Sequence, residues 1–282
     1  MDNAKKNELK RIANRVRAGV IESTFHAKSG HPGGSLSAAD LLTYLYFEEM
    51  KINPGQPENP KRDRFVLSKG HAAPGLYSTL AHRGYFDVDL LKTLRKCDSC
   101  LQGHPNTHIA GVDMCTGSLG QGISAAVGMA LGAKLQGEQF RVYAILGDGE
   151  LQEGQVWEAA MFASAKKLDN LAAIIDNNNL QIDGTVEEVN SPYPIDEKFR
   201  AFGWNVINIC GHCFTEIEEA LSAAKTHSGA PTAIVAKTVK GKGVSFMENR
   251  VSWHGAAPNA DQYAQAIAEL DEAYAELKKE EN

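Results

Sequence analysis

The sequence predicts an α/β protein with a parallel central sheet and helices on both faces, and three observations carry that reading. From residue 116 onward, short continuous apolar runs alternate with helical patterns. Strands read this way when both faces of the sheet are covered, so that neither face meets water. The apolar runs stop abruptly at glycine or carboxylate, as in "AILGDGELQEG" at 144–154. Finally, 282 residues at 43% apolar and 23% charged make one large core feasible. No linker divides the chain, so residues 1–282 read as a single domain.

The elements follow in order. "LKRIANRVRAGVI" sets Leu9, Ile12, Val16 and Val20 on one helical face, and a second helix, "SAADLLTYLYFEEM", follows a glycine-rich break, "SGHPGGS". A Pro- and Asn-rich loop, "NPGQPENPKR", leads to a short strand, "RFVLS". "GQGISAAVGMALGAKLQ" reads as a small-residue helix, "FRVYAIL" as a buried strand and "GQVWEAAMFASAKKL" as the next helix. "NLAAIID", "WNVINI" and "PTAIVAKTV" continue as strands, with the helix "TEIEEALSAAK" before the last. After a long loop, "KGKGVSFMENRVSWHGAAPNAD", a terminal helix carries Tyr263, Ile267, Leu270, Tyr274 and Leu277 on one stripe.

Composition excludes several functions. A formal net charge of −6, without a lysine- or arginine-rich run, gives no footprint for nucleic acid. No apolar stretch is long enough for a membrane, and the charged start "MDNAKKNELKRIANRV" lacks the apolar core of a signal peptide. A cytoplasmic location is the expectation. Two C-x-x-C pairs, Cys97/Cys100 and Cys210/Cys213, lie too far apart in the chain to suggest a local zinc site. "CGHC" sits between a strand and a helix, but the preceding Trp-Cys step of thioredoxin-like motifs is missing. Buried or half-buried thiols in a reduced compartment are expected instead.

Asp148 ends a buried strand between Gly147 and Gly149. Ligands of parallel sheets bind beyond the carboxyl ends of strands. Glycine lets backbone approach closely or adopt unusual φ, and a helix starting near Gly154 favours an anion at its N-terminus. The next strand ends in Asp176, Asn177, Asn178 and Asn179, a second group of oxygen donors. Mg²⁺ takes about six oxygens, mostly from carboxylates, phosphates and water. Two strand ends of this kind fit a metal-bound diphosphate, the arrangement of thiamine diphosphate sites. Four of nine histidines directly follow glycine (His31, His71, His104 and His212), where composition predicts roughly one. The first three, with His254, read as loop residues that suit a pocket for phosphate and sugar hydroxyls. His212 reads as structural.

These segments resemble the N-terminal half of transketolase, in the family's order and over nearly the whole chain: "AKSGHPGG", "FVLSKGHAAPGLY", "GHPNTHIAGVDMCTGSLGQGISAAVGMALG", "GDGELQEGQVWEAAMFA", "DNNNLQIDG" and "KTVKGKGVSFMENRVSWHGA". The resemblance implies transfer of a two-carbon ketol unit from a ketose phosphate to an aldose phosphate, with thiamine diphosphate as cofactor. It implies Mg²⁺, or another divalent cation such as Ca²⁺ or Mn²⁺, on Asp148, Asn178 and the Leu180 carbonyl. Gly149 and His71 would contact the diphosphate, and Gly117, Ser118 and Leu119 would lie along the cofactor. His31, His104 and His254 would line the substrate channel, and Glu153 would sit at a subunit interface coupling two cofactor sites. "CGHC" matches a stretch usually reading Gly-His-Asp, so Cys213 resembles a substitution rather than a redox centre.

The family's pyrimidine-binding and C-terminal domains are not in this chain. The expectation is therefore a split transketolase: its partner a separate C-terminal subunit, with self-association across the cofactor interface and a heterotetramer of two such pairs. A component of a deoxyxylulose phosphate synthase-like or unusual-sugar enzyme is the nearest alternative, ahead of a thiol oxidoreductase and of a non-catalytic binding subunit.

Overall fold

The computed structural model describes residues 1–279. Its sheet strands are β1 (Arg64–Leu67), β2 (Val142–Gly147), β3 (Leu171–Asn177), β6 (Asn205–Cys210) and β7 (Thr232–Lys237), and a small antiparallel hairpin, β4 (Leu180–Gln181) with β5 (Gly184–Thr185), follows β3. The five sheet strands are parallel in the order β1-β2-β3-β7-β6, as the alternating pattern predicts. Gly147 pairs with Asp176 and Asn177 with Lys237, so the carboxyl ends of β2, β3 and β7 finish level. That shared edge carries the site.

The continuous apolar strands divide between two cores. In β2, Tyr143 and Ile145 pack on one side while Val142, Ala144 and Leu146 pack on the other. Alternate side chains point to opposite faces, so a run buried on both sides must be apolar throughout. Helices α1 (Asn3–Ala27), α3 (Ala39–Tyr44), α4 (Ala73–Arg83) and α9 (Phe214–Thr226) supply the first core. Helices α5 (Gln121–Gln136), α6 (Gly154–Ala165) and α8 (Ile195–Ala201) supply the second. α10 (Ala260–Lys279) packs on α1 through Ala266 and Leu270.

Two readings need correction, and one helix has no counterpart in the sequence pattern. The second helix starts inside the supposed glycine break, as α2 (Pro32–Ser37), with Pro32 where a missing N–H costs nothing. It is followed by α3 and a π-helical turn, Leu45–Glu49, rather than forming one rod. "APGLYSTLAHR" forms α4, whose residues from Ala73 to Ala81 are all buried, Ser78 and Thr79 included; a helix buried all round shows no amphipathic period. The thiols are not buried: Cys97, Cys100, Cys115 and Cys210 are exposed and Cys213 partly so, all unpaired. Among the described residues no helix is long and apolar enough to cross a membrane.

Candidate active site

A cleft of about 300 Å³ opens beyond the level ends of β2 and β3. Asp148 leaves β2 at its floor, 2% exposed. Its Oδ1 accepts from the Gly149 amide at 2.8 Å and its Oδ2 from the Asn179 amide at 2.5 Å. Among the described residues no lysine or arginine forms an ion pair with it. Burial, then the neighbouring Asp176, push its pKa up to about 6. A buried carboxylate in that condition favours a cation.

Asp176 is the contrasting case. It is fully buried, ion-paired to Lys69, and accepts from Ser37 Oγ at 2.5 Å and from Thr238 Oγ1. Burial opposes its charge, but Lys69 and the two hydroxyls hold its carboxyl below the usual range. The sequence pattern counts Asp176 among free oxygen donors; the fold commits it to Lys69. Asn177 is also occupied, its Oδ1 accepting from Tyr193 OH at 2.6 Å. Asn178 donates Nδ2 to Asp176 at 3.3 Å, and its Oδ1 accepts from the Leu180 amide at 3.1 Å. Asp176 thus orients the amide of its neighbour.

The opposite wall carries Lys240, whose Nζ lies 2.8 Å from the Leu180 carbonyl and 2.8 Å from His254 Nδ1. An ammonium has no lone pair, so His254 Nδ1 is the acceptor, and in the neutral ring the proton sits on Nε2. Burial and then Lys240 lower the His254 pKa to about 3. His254 stacks on His71 at 5.0 Å, and His31 meets both rings edgewise at 5.6 and 5.4 Å. Burial is also the main cause that lowers His31 to about 4 and His71 well below the ordinary imidazole value. The result is a row of neutral imidazoles.

The structure brings His71, Leu119, Asp148, Gly149, Glu153, Asn178, Leu180 and His254 onto the cleft wall. His31 joins through its ring contacts; Glu153 is exposed at the start of α6. Gly117 lies against the His104 ring, and Ser118 follows it in the chain; neither lines the cleft. His31 is a loop residue directly before α2, at its N-cap position, whereas His71 sits in the 3-10 turn Gly70–Ala72 before α4. Neither Gly147 nor Gly149 has a left-handed φ. At Gly149 the Gln181 side chain packs close: a Cβ would come 2.8 Å from its mobile Oε1 and 3.3 Å from its Cβ.

Sequence reasoning missed Glu150, Lys240 and Ile182. Glu150 accepts from Ser68 Oγ at 2.5 Å and from the amides of Gly120 and Gly147 at 2.9 and 3.0 Å, pinning three segments together. Its place next to "GDG" was the available signal. Ile182 is 64% exposed on the cleft rim, an apolar side chain in a polar loop. His212, read as structural, ties two segments together. Its Nε2 accepts from the Val239 amide at 2.9 Å, so Nδ1 donates to Asp40 at 2.7 Å.

The donor set suits a diphosphate and its cation: an unpaired carboxylate, an amide oxygen and a carbonyl beside two lysines. Several buried polar atoms around it, His31 Nδ1, Asn179 Oδ1 and Gln181 Nε2, have no partner in the protein. Buried polar groups are normally satisfied, so these point to a ligand or water.

Comparison with known proteins agrees. The family model for the transketolase thiamine diphosphate binding domain matches residues 8–275. A 6-deoxy-6-sulfo-D-fructose transketolase subunit from Clostridium sp. (strain MSTE9) is 46% identical over 94% of this chain and 96% of its own length. An apulose-4-phosphate transketolase subunit from Phocaeicola vulgatus is 42% identical over 98% of this chain and 97% of its own length. Human transketolase is 45% identical over 95% of this chain but only 43% of its own length. The solved transketolase of Campylobacter jejuni superposes with a TM-score of 0.83 at 34% identity, over 96% of this chain and 48% of that one. This chain spans about half the length of the solved transketolases it matches. It belongs to the transketolase family, as a thiamine diphosphate-binding domain.

Proposed function

We propose that this chain is the diphosphate-binding subunit of a split transketolase, working with a separate C-terminal subunit in a heterotetramer and moving a two-carbon ketol unit from a ketose phosphate to an aldose phosphate. The observation that carries the site assignment is Asp148, buried without a cationic partner in a cleft it shares with Asn178, Leu180 and Lys240. Two relatives of nearly the same length are named as transketolase subunits, which supports the split.

Asp148, Asn178 and the Leu180 carbonyl would hold Mg²⁺, Ca²⁺ or Mn²⁺, and Gly149 and His71 would meet the diphosphate. When bound, thiamine diphosphate supplies the nucleophilic carbon that carries the two-carbon unit between sugars. The chain's own part is orientation and proton handling. His254 presents Nε2–H as a donor because Lys240 occupies Nδ1. His31 and His104 would complete the channel as neutral imidazoles that hydrogen-bond the sugar hydroxyls.

The test mixes this chain with the product of its neighbouring reading frame, thiamine diphosphate and Mg²⁺, and follows transfer from xylulose 5-phosphate to ribose 5-phosphate, with each chain alone as control. Activity confined to the mixture supports the proposal, and robust turnover by this chain alone refutes the split. Asp148→Ala must abolish Mg²⁺-dependent cofactor binding; unchanged affinity refutes the metal assignment. Because the two subunit relatives are named for other sugars, 6-deoxy-6-sulfo-D-fructose and apulose 4-phosphate belong in the same panel.

A further inference from the structure

The Cys-Gly-His-Cys stretch lies directly behind one wall of the cleft. Cys210 ends β6, and the Cys213 amide donates to the Cys210 carbonyl at 3.1 Å, closing a tight turn over Gly211 and His212. A turn of this kind holds its first and fourth Cα atoms within about 7 Å. A disulfide takes Cα atoms about 4.4–6.8 Å apart, so the backbone already sets the two thiols within bridging range. Cys210 is exposed, Cys213 partly so, and neither is bridged. Cys213 occupies the N-cap position of α9 without a side-chain hydrogen bond to the helix, where serine, threonine or aspartate would make one. Its thiol is therefore not engaged in holding α9. The family resemblance reads Cys213 as a substitution, and the fold gives that substitution a partner. The other pair differs: there the turn closes between the Ser99 amide and the Lys96 carbonyl at 3.1 Å, out of step with Cys97 and Cys100.

The turn is packed against a strand end that supplies the cleft. The Gly211 amide donates to the Lys237 carbonyl at 2.8 Å, at the end of β7. A Cβ at Gly211 would come 2.5 Å from Thr238 Cγ2, so the turn has no slack on that side. The Cys210 amide is anchored on Glu216 Oε2 at 2.7 Å. Thr238 donates to Asp176 beneath the cleft, and the next amide, that of Val239, donates to His212 Nε2. Lys240 follows, facing the Leu180 carbonyl and His254. A change in the turn thus reaches the Lys240 segment through a single hydrogen bond.

We propose that Cys210 and Cys213 form a redox-modifiable dithiol, whose closure to a disulfide shifts His212 and loosens the cleft wall that carries Lys240. The oxidant is a small-molecule disulfide. The thiolate of Cys210, the more exposed of the two, attacks one of its sulfurs, and the other sulfur leaves as a thiolate. The Cys213 thiolate then attacks Cys210 Sγ and expels the second. Two protein thiols become one disulfide, and the oxidant is reduced to two thiols that carry the two protons. Closure draws the Cβ atoms to about 3.8 Å. Glu216 anchors one end of the turn and Thr238 blocks Gly211, so the strain of closure falls on His212 and its bonds to Asp40 and Val239.

The experiment treats the full chain with glutathione disulfide and maps its peptides by mass spectrometry. A bridge between Cys210 and Cys213 is expected, with loss of two hydrogens and reversal by dithiothreitol; its absence overturns the proposal. Oxidised and reduced protein are then compared by amide hydrogen exchange without cofactor. The Val239 amide should exchange about fivefold faster or more in the bridged form. Thiamine diphosphate with Mg²⁺ should bind the bridged form of the assembled enzyme about fivefold more weakly or worse. Cys213→Ser gives α9 a capping hydroxyl, so it should fold normally and show neither change on oxidation. Changes that persist in Cys213→Ser belong to other thiols and overturn the proposal. So does a bridged protein whose Val239 exchange or cofactor affinity is unaltered. The exchange measurement needs neither sugar nor cofactor, so it decides even where no two-carbon transfer is seen and the split-transketolase reading fails.

Discussion

The Lys240 ammonium donates to the Leu180 carbonyl oxygen across 2.8 Å, so a lysine already faces the oxygen proposed as a metal ligand. Lys240 is 2% exposed, and burial, followed by the charge of Lys69, lowers its pKa to about 8. A folded value below the unfolded one means that the folded chain releases this proton first. The folded protein is therefore penalised at pH 7, and the penalty is relieved as pH rises from about 8 toward 10.5. Lys240→Met is expected to raise stability at pH 7 by about 1–3 kcal/mol and to flatten the rise above pH 8. The same variant should bind thiamine diphosphate at least tenfold more weakly, because a cation is lost beside the diphosphate. Urea unfolding at several pH values and isothermal titration check the two halves separately.

Asp176 and Lys69 form a buried pair whose members are 0% and 2% exposed at the side chain. Removing one partner leaves an uncompensated buried charge. Asp176→Ala should therefore cost about 3–5 kcal/mol, enough to lower Tm by roughly 10 °C or more. The double variant Lys69→Met/Asp176→Leu should recover most of that loss. A thermal melt of the three proteins measures the coupling, and additive losses would contradict it.

His31 is held neutral, its pKa lowered to about 4 mainly by burial. Unfolding returns it to the ordinary imidazole range, so the unfolded chain binds a proton that the folded chain refuses. Its contribution to stability is complete above about pH 6.5 and is lost as pH falls through that window toward 4. The urea midpoint of the wild type should drop between pH 7 and 5 more steeply than that of His31→Asn. The ring carbons of His31 followed by NMR should show no titration above about pH 5.

His212 joins Asp40 on α3 to the Val239 amide, and Arg17 completes the network by donating to Asp40 at 2.5 Å and to the Lys242 carbonyl at 3.1 Å. The turn bearing Lys240 is thus held on both sides. His212→Phe leaves the Val239 amide unpartnered and should cost about 2–4 kcal/mol, with weaker cofactor binding as Lys240 loses its anchor. Chemical denaturation and cofactor titration check both outcomes. Unaltered cofactor affinity would confine His212 to a stabilising role.

The sheet was legible because its central strands β2, β3 and β7 are apolar almost without interruption, and that pattern leaves few other arrangements. Asp148, Asn178 and His71 fall on the cleft wall where the sequence pattern put candidate site residues, because polar residues at strand ends and in glycine-rich turns have few structural uses. α4 was illegible for the same reason as the strands were clear: total burial erases the period that marks a helix. Asp176 was misjudged because its partner, Lys69, is 107 residues away, and no local pattern announces a buried ion pair. Lys240 was missed on similar grounds, since a single cation in a loop acquires meaning only from what the fold sets beside it.

The Lys69–Asp176 pair also constrains how this sequence can diverge. Each residue is tolerable only in the presence of the other, so the first step of any exchange is the most damaging one. Replacement must pass through a compensating change at both sites or at the hydroxyls of Ser37 and Thr238. The floor beneath the cleft therefore resists gradual drift, whereas the exposed Ile182 on its rim can be exchanged without stranding a buried charge.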